Sequence, residues 1–131
     1  MKIKHTDELR RKLKAAGPLA VKALESAALE EQEKVMALSK ERVPVKRKVL
    51  KGSGVVLSPK VRRNRVTVIA GYGGAASAYA LKVHEMLGED VQWTTPGTGA
   101  KYLENAFDDR APHMPRRMAR SIEQHLERLR Q

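Results

Sequence analysis

The chain has 131 residues and a formal net charge of +11, with 41% hydrophobic residues, 4% aromatic residues and no cysteine. This length supports one domain with a modest core, which must be built from Leu, Val and Ala. The lack of cysteine excludes disulfides and thiolate metal sites, and no apolar run approaches the ~18 residues that cross a bilayer. We therefore expect no membrane anchor, and no secretory signal because Met1–Thr6 has no apolar segment behind it.

The positive charge is concentrated in one segment of the chain. Residues 40–65 contain ten Lys and Arg against one Glu, a net charge of +9. Residues 66–109 contain two against six, a net charge of −4. A concentrated cationic segment attracts polyanions, of which nucleic acid is the commonest, and a solvated basic surface is the ordinary alternative.

The first two predicted elements are helices. Thr6 is placed to cap a short helix, and Gly17 ends it. Pro18 suits the first turn of a second helix. We expect that helix to run to Arg42, because Pro44 disfavours helical geometry in the residue before it.

The second helix has an acidic centre that interrupts its apolar stripe near Glu31. The stripe is formed by Leu24, Ala27, Ala28, Val35 and Leu38. Three carboxylates at the interruption are candidates for a contact with the basic hairpin, within the subunit or between copies, and are the candidates for an inter-subunit contact: Glu30, Glu31 and Glu33. A solvated helix with i,i+4 ion pairs is the alternative.

The next segment predicts a β-hairpin at the centre of the sheet. Two β-branched runs, Val55–Leu57 and Val66–Ile69, flank a turn that we place at Ser58-Pro59. Basic residues on both sides make this turn the predicted focus of positive charge. The candidate residues that face DNA or an acidic partner are Lys46, Arg47, Lys48, Lys51, Lys60, Arg62, Arg63 and Arg65.

The second half of the chain predicts mainly short helices. We expect a helix over 78–87, a short third strand over 91–95, a helix over 100–109 and a basic helix over 111–131. Four apolar side chains are expected to pack the short helices on the sheet: Tyr79, Val83, Leu103 and Phe107.

These elements predict an α+β fold. A small antiparallel sheet centred on a long β-hairpin is packed by the long N-terminal helix, short helices and a C-terminal helix. We expect a single domain over 1–131, in which 1–17 is a short N-terminal helix or arm.

Residues for catalysis do not converge in the sequence. His84-Glu85 begins like a zinc-protease helix, but Gly88 stands where the second His is needed. The glycines at 71–74 follow a strand, as in phosphate-binding loops, yet no Gly-Lys-Ser/Thr follows. We therefore predict no enzymatic activity, no metal and no cofactor.

Four segments, in order over residues 18–110, carry a resemblance to a known family. They are Val43-Pro44-Val45, Leu50-Lys51-Gly52-Ser53, Tyr79-Ala80-Leu81-Lys82-Val83-His84-Glu85 and Pro96-Gly97-Thr98-Gly99-Ala100-Lys101-Tyr102-Leu103-Glu104-Asn105-Ala106. With these, the chain resembles the tail-completion, or head–tail joining, proteins of long-tailed bacteriophages, a family of minor capsid proteins. Lys46-Arg47-Lys48 stands where family members usually carry Asp-Thr-Gly.

The resemblance implies a structural virion protein in the phage neck, made in the host cytoplasm. Such a subunit forms a ring with its own copies, expected to be a hexamer, around the channel through which double-stranded DNA leaves. Its partners are then the portal connector on the head side and the tail tube or tail terminator on the tail side. The alternative is a free-standing module that binds nucleic acid without sequence preference through the hairpin and the basic C-terminal helix.

Overall fold

The computed structural model describes residues 7–43, 53–62, 65–72, 79–84, 91–94 and 101–130, with the backbone alone for 7–10, 13, 79–84, 91–94 and 115. The α+β class predicted from the sequence is confirmed. The described elements, in chain order, are α1 (Asp7–Ala16), α2 (Pro18–Arg42), β1 (Gly54–Val56), β2 (Lys60–Arg62), β3 (Arg65–Tyr72), β4 (Tyr79–His84), β5 (Val91–Thr94), α3 (Lys101–Arg110), a short 3-10 helix (Ala111–His113) and α4 (Met114–Arg130).

The ends of the first two helices follow from glycine and proline. Gly17 separates α1 from α2 and adopts a left-handed φ of 58°, which glycine takes without steric cost. Pro18 begins α2, and Arg42 ends it. Val43 is extended, with φ −72° and ψ 125°, as expected for the residue before a proline. The predicted bounds of α2 are confirmed.

The sheet is antiparallel, with strand order β1-β3-β4-β5 and β2 paired to β3. Val56 pairs with Ala70, whereas Lys60 pairs with Thr67, so three residues of the edge strand lie opposite two of β3. This is a β-bulge over residues 57–59. It contains Pro59, whose missing N–H is tolerated at a bulge in an edge strand.

The predicted turn at Ser58-Pro59 is therefore wrong. The edge strand passes from β1 through the bulge and continues as β2 to Arg62, which pairs with Arg65. The predicted helix over 78–87 is also wrong, because residues 79–84 form β4. This strand pairs with β3 on one side and with β5 on the other, so the two ladders satisfy its backbone groups and override the helical pattern. The predicted strand near Val91 is confirmed as β5.

Helix α2 is the middle layer of the fold. It packs against β1, β3 and β4 on one side and against α3 and α4 on the other. A helix covered on two sides has buried positions around much of its circumference, which is why its apolar stripe is weak in the sequence. The principal buried apolar residues are Ala20, Ala23, Leu24, Ala27, Ala28, Val35, Val66, Val68, Ala70, Tyr72, Leu103, Ala106, Phe107, Met114, Met118, Ile122 and Leu126. Leu103 and Phe107 are buried as predicted, but among the described elements α3 packs on α2 and not on the sheet as expected. The side chains of Tyr79 and Val83 lie outside the described part.

Two buried hydrogen bonds fix the position of α2 along the sheet. Tyr72 donates its hydroxyl hydrogen to Ser39 Oγ at 2.8 Å, and Gln32 Nε2 donates to the carbonyl oxygen of Val68 at 3.3 Å. The helix advances seven residues from Gln32 to Ser39, and the strand advances four from Val68 to Tyr72. Both steps span roughly 10–13 Å. Helix α2 therefore runs alongside β3 in the same direction.

Candidate polyanion interface

The two basic clusters of the sequence join opposite ends of the hairpin. Gly54 starts β1 at the open end, where it pairs with Tyr72, and Arg62 ends β2 at the tip, eight residues or about 26 Å away. The cluster of Lys46, Arg47, Lys48 and Lys51 precedes β1 in the chain and lies outside the described residues, as does Arg63. The predicted focus of positive charge therefore stays a prediction for these five residues, and the described cations of the hairpin are Lys60, Arg62 and Arg65.

The described cations near the tip are exposed. In β3, Val66 and Val68 are buried, whereas Arg65 is exposed on the alternate face. Lys60 and Arg62 are exposed as well, and they pair directly with Thr67 and Arg65. Directly paired residues of an antiparallel sheet share a face, so these three cations lie on the face opposite α2, which we call the outer face.

The outer face also carries exposed apolar groups. Val55 is 52% exposed and Leu57 is 48% exposed. Val55 pairs with Gly71, and the Leu57 N–H donates to the carbonyl oxygen of Ile69 at 2.8 Å. Both residues therefore lie along the edge strand that pairs with β3. Exposed apolar side chains beside cations are more typical of a protein contact than of a phosphate contact.

Aromatic side chains that could stack on unpaired bases do not project from the described hairpin. Tyr72 is its aromatic residue among those described, and it is buried against α2. This arrangement argues against recognition of single strands.

Glu31 is the centre of a buried ion-pair cluster that joins three helices. Arg110, at the end of α3, donates from Nε to Oε1 at 2.9 Å and from Nη2 to Oε2 at 3.1 Å. Arg117, in α4, donates from Nη2 to Oε1 at 2.7 Å and from Nε to Oε2 at 3.3 Å. Arg117 Nη2 also donates to the carbonyl oxygen of Arg110 at 2.7 Å, which satisfies an acceptor at the C-terminus of α3.

The two arginines decide the charge state of this carboxyl. Burial alone would raise the pKa of Glu31, but hydrogen bonds and positive charge from Arg110 and Arg117 outweigh it and hold the pKa below its ordinary value of 4.5. Glu31 is 3% exposed. Its oxygens are occupied within the chain, so the prediction of an inter-subunit role for Glu31 is replaced by an intrachain one.

The other two acidic candidates have different surroundings. Glu30 Oε1 lies 2.7 Å from His125 Nε2, and Glu30 Oε2 accepts a hydrogen bond from Ser121 Oγ at 3.1 Å. Glu33 is exposed, and among the described residues it makes no ion pair. Glu33 is therefore the acidic candidate whose carboxylate is available to a partner.

Sequence reasoning missed Arg110 and Arg117. The available signal was Glu31 itself, because a carboxylate in the apolar line of a buried helix requires a cationic partner. The sequence offers 26 Lys and Arg, and spacing alone does not select two that are 79 and 86 residues away.

The described part of the chain contains neither a metal-binding group nor a membrane-spanning helix. There, no group of three or more His, Asp or Glu side chains is placed to hold a metal ion. Among the same residues, no helix is both long and apolar enough to span a membrane.

Comparisons with known proteins gave no match to a family model, to a curated protein or to a solved structure.

Proposed function

We propose that this chain is a structural subunit of a phage neck ring, which joins the head connector to the tail around the DNA exit channel. The proposal rests on the resemblance of the four segments described above. The observation that carries it beyond the resemblance is the outer face of the hairpin, where Lys60, Arg62 and Arg65 are exposed beside Val55 and Leu57. A small subunit with such a face gains stability by covering it in an assembly.

In this function the hairpin meets either passing DNA or an acidic surface of an adjacent subunit. Lys60, Arg62 and Arg65 are long side chains near the tip of the hairpin, and a ring repeats them around its axis. Contacts of this kind attract phosphate or carboxylate without reading sequence, as a channel for a moving genome requires. Glu33 is an exposed carboxylate on α2, and it is available to the hairpin of a neighbouring subunit in a ring.

Removal and complementation of the gene test this proposal in particles. Deleting the coding sequence from the genome that encodes it should give DNA-filled heads and separate tails by electron microscopy, and a plasmid copy should restore joined particles. The variant K60Q/R62Q/R65Q should restore fewer joined particles than the wild type. The matched variant K22Q/K34Q/K101Q removes three exposed cations elsewhere and should restore them fully. Normal joined particles in the deletion strain would refute the proposal.

A free-standing nucleic-acid-binding module is the second candidate, and the exposed Lys60, Arg62 and Arg65 are the observation that favours it. Light scattering after size exclusion, combined with titration of duplex DNA, separates the two. A strict monomer that binds duplex tightly and leaves particle assembly unaffected when deleted would favour the module. Assembly into a ring with a neck partner would favour the subunit.

A further inference from the structure

The first and last helices of the described chain pack side by side. Lys12 Nζ in α1 lies 3.9 Å from Glu123 Oε1 in α4, and Arg130 Nη2 donates to the carbonyl oxygen of Lys12 at 3.4 Å. Both helices also pack on α2. Basic residues more than 100 positions apart in sequence are thereby brought to one side of the molecule, away from the sheet.

This packing creates a second cationic surface, which we call the helical surface. Its six exposed cations are Arg11, Lys14, Arg116, Arg120, Arg128 and Arg130. The carboxylates of α4 compensate only part of this charge, since they are Glu127, which is exposed, and Glu123, which is 42% exposed and lies 3.9 Å from Lys12 Nζ. The described side chains of this surface therefore carry a clear positive excess.

The chemistry of the helical surface differs from that of the hairpin. Along α4, Arg116, Arg120, Gln124 and Arg128 are exposed at every fourth position, with a rise of about 6 Å per step. Arginine stays charged at all working pH values and donates two parallel hydrogen bonds to a phosphate. This row is wholly polar, whereas the outer face of the hairpin mixes its cations with exposed Val55 and Leu57.

Double-stranded nucleic acid fits such a row well. One strand of a duplex carries a phosphate per about 3.4 Å of the axis, so the ~18 Å from Arg116 to Arg128 matches a length with about five phosphates on each strand. Interfaces with DNA are more polar and more positively charged than those between proteins. Among the described side chains of α4, Leu129 is the exposed large apolar one, at 38%, and it is not one of the four positions of the row.

We propose that the helical surface binds the phosphate backbone of double-stranded DNA without sequence preference, and that the outer face of the hairpin contributes little to that binding. This inference goes beyond the neck-ring proposal and does not depend on it. It assigns DNA contact to α1 and α4 and leaves the hairpin for protein contacts.

Two matched variants test the assignment by fluorescence anisotropy with a labelled 24-bp random duplex at 50–300 mM salt. Both R116Q/R120Q/R128Q and K60Q/R62Q/R65Q remove three exposed cations, so their net charges are equal. The first should bind at least about tenfold more weakly at 100 mM salt, with a salt slope reduced by about 2–3, because each lost phosphate contact removes ~0.9 from the slope. The second should bind within about threefold of the wild type. Circular dichroism should show both variants folded.

Three outcomes overturn the proposal. Equal losses in the two variants would show that affinity follows net charge and not this surface. A larger loss in the hairpin variant, or no binding by the wild type at 50 mM salt, would exclude the helical surface as the binding site. Displacement of the duplex by polyglutamate as effectively as by unlabelled duplex would assign the surface to an acidic protein. None of these results would bear on particle joining, so the neck-ring proposal is tested separately.

Discussion

Replacement of Glu31 by Gln is the most informative single change to the fold. The amide has nearly the shape of the carboxylate, but it loses the negative charge and places an NH₂ donor before guanidinium donors. Four hydrogen bonds from Arg110 and Arg117 converge on the carboxylate, so the change leaves two arginines without their counter-ion.

The magnitude follows from how buried each partner is. Breaking a buried ion pair by removing one member costs about 3–5 kcal/mol, because the remaining charge stays uncompensated. The side chains of Arg110 and Arg117 are 21% and 30% exposed, so part of their charge can regain water. We therefore expect E31Q to lower the free energy of unfolding by about 3 kcal/mol, a large share of the ~5–15 kcal/mol of a typical domain. For a chain of this size the midpoint of thermal unfolding should fall by about 10 °C.

Urea unfolding followed by circular dichroism measures the effect. The control is E33Q, an exposed carboxylate on the same helix, which should change the free energy of unfolding by less than about 0.5 kcal/mol. If E31Q unfolds within about 1 kcal/mol of the wild type, the cluster does not hold the three helices together and the reasoning fails.

The pH dependence gives a second readout of the same cluster. The folded-state pKa of Glu31 lies below its ordinary value of 4.5, so its contribution to stability is present above that value. It is lost as the pH falls through the folded-state pKa. The difference in unfolding free energy between the wild type and E31Q should therefore be constant near neutral pH and shrink on acidification below about 4.5.

Three further predictions concern the hairpin and its packing on α2. Y72F removes the donor to the buried Ser39 and should cost about 1–2 kcal/mol in urea unfolding, with recovery in Y72F/S39A. Burial raises the pKa of Tyr72, and the hydrogen bond with Ser39 lowers it by a smaller amount. The contribution of the neutral phenol to the free energy of unfolding should therefore persist to about pH 10 and be lost at higher pH. G54A would place a Cβ 2.7 Å from Tyr72 Cε1 and from Lys40 Cε, and overpacking against the fixed ring should cost about 1–3 kcal/mol, a result that an unchanged urea midpoint would contradict. Deletion of Ser58 should remove the bulge, keep the pairs on both sides of it and change stability by less than about 1 kcal/mol, whereas loss of amide protection at Val66 in hydrogen exchange would show that the extra residue is required.

Local signals in the sequence were sufficient to predict where α2 begins and ends. Gly17, Pro18 and Pro44 act on their own backbone or that of the adjacent residue, so the bounds of α2 could be predicted without tertiary information. Phe107 and Leu103 could be placed in the core because their spacing puts them on one face of α3.

Features that depend on pairing between distant residues could not be predicted. Residues 79–84 form a strand because they pair with β3 and β5. The sequence of the segment itself has a helical pattern and does not indicate these two partners. The partners of Glu31 lie in α3 and α4, and the helical surface exists because α1 meets α4. In each case the contact joins segments that are distant in sequence and are brought together only by the tertiary fold.

The bulge shows how burial decides where the cations of the hairpin lie. Gly54 and Val56 are in phase with the buried face of β3, and an unbroken alternation would place Lys60 and Arg62 on that same face. There they would take the place of Val61, which is 43% exposed and pairs with the buried Val66, so the cost would be lost apolar contact at this edge of the sheet. One extra residue at 57–59 shifts the phase, so Val61 pairs with the buried Val66 while both cations turn to solvent. The disruption of the edge ladder costs little, because an edge strand keeps one side of its backbone open to water in any case. The face on which the two cations lie thus follows from the bulge, and it would be the same whichever polyanion or protein the outer face meets.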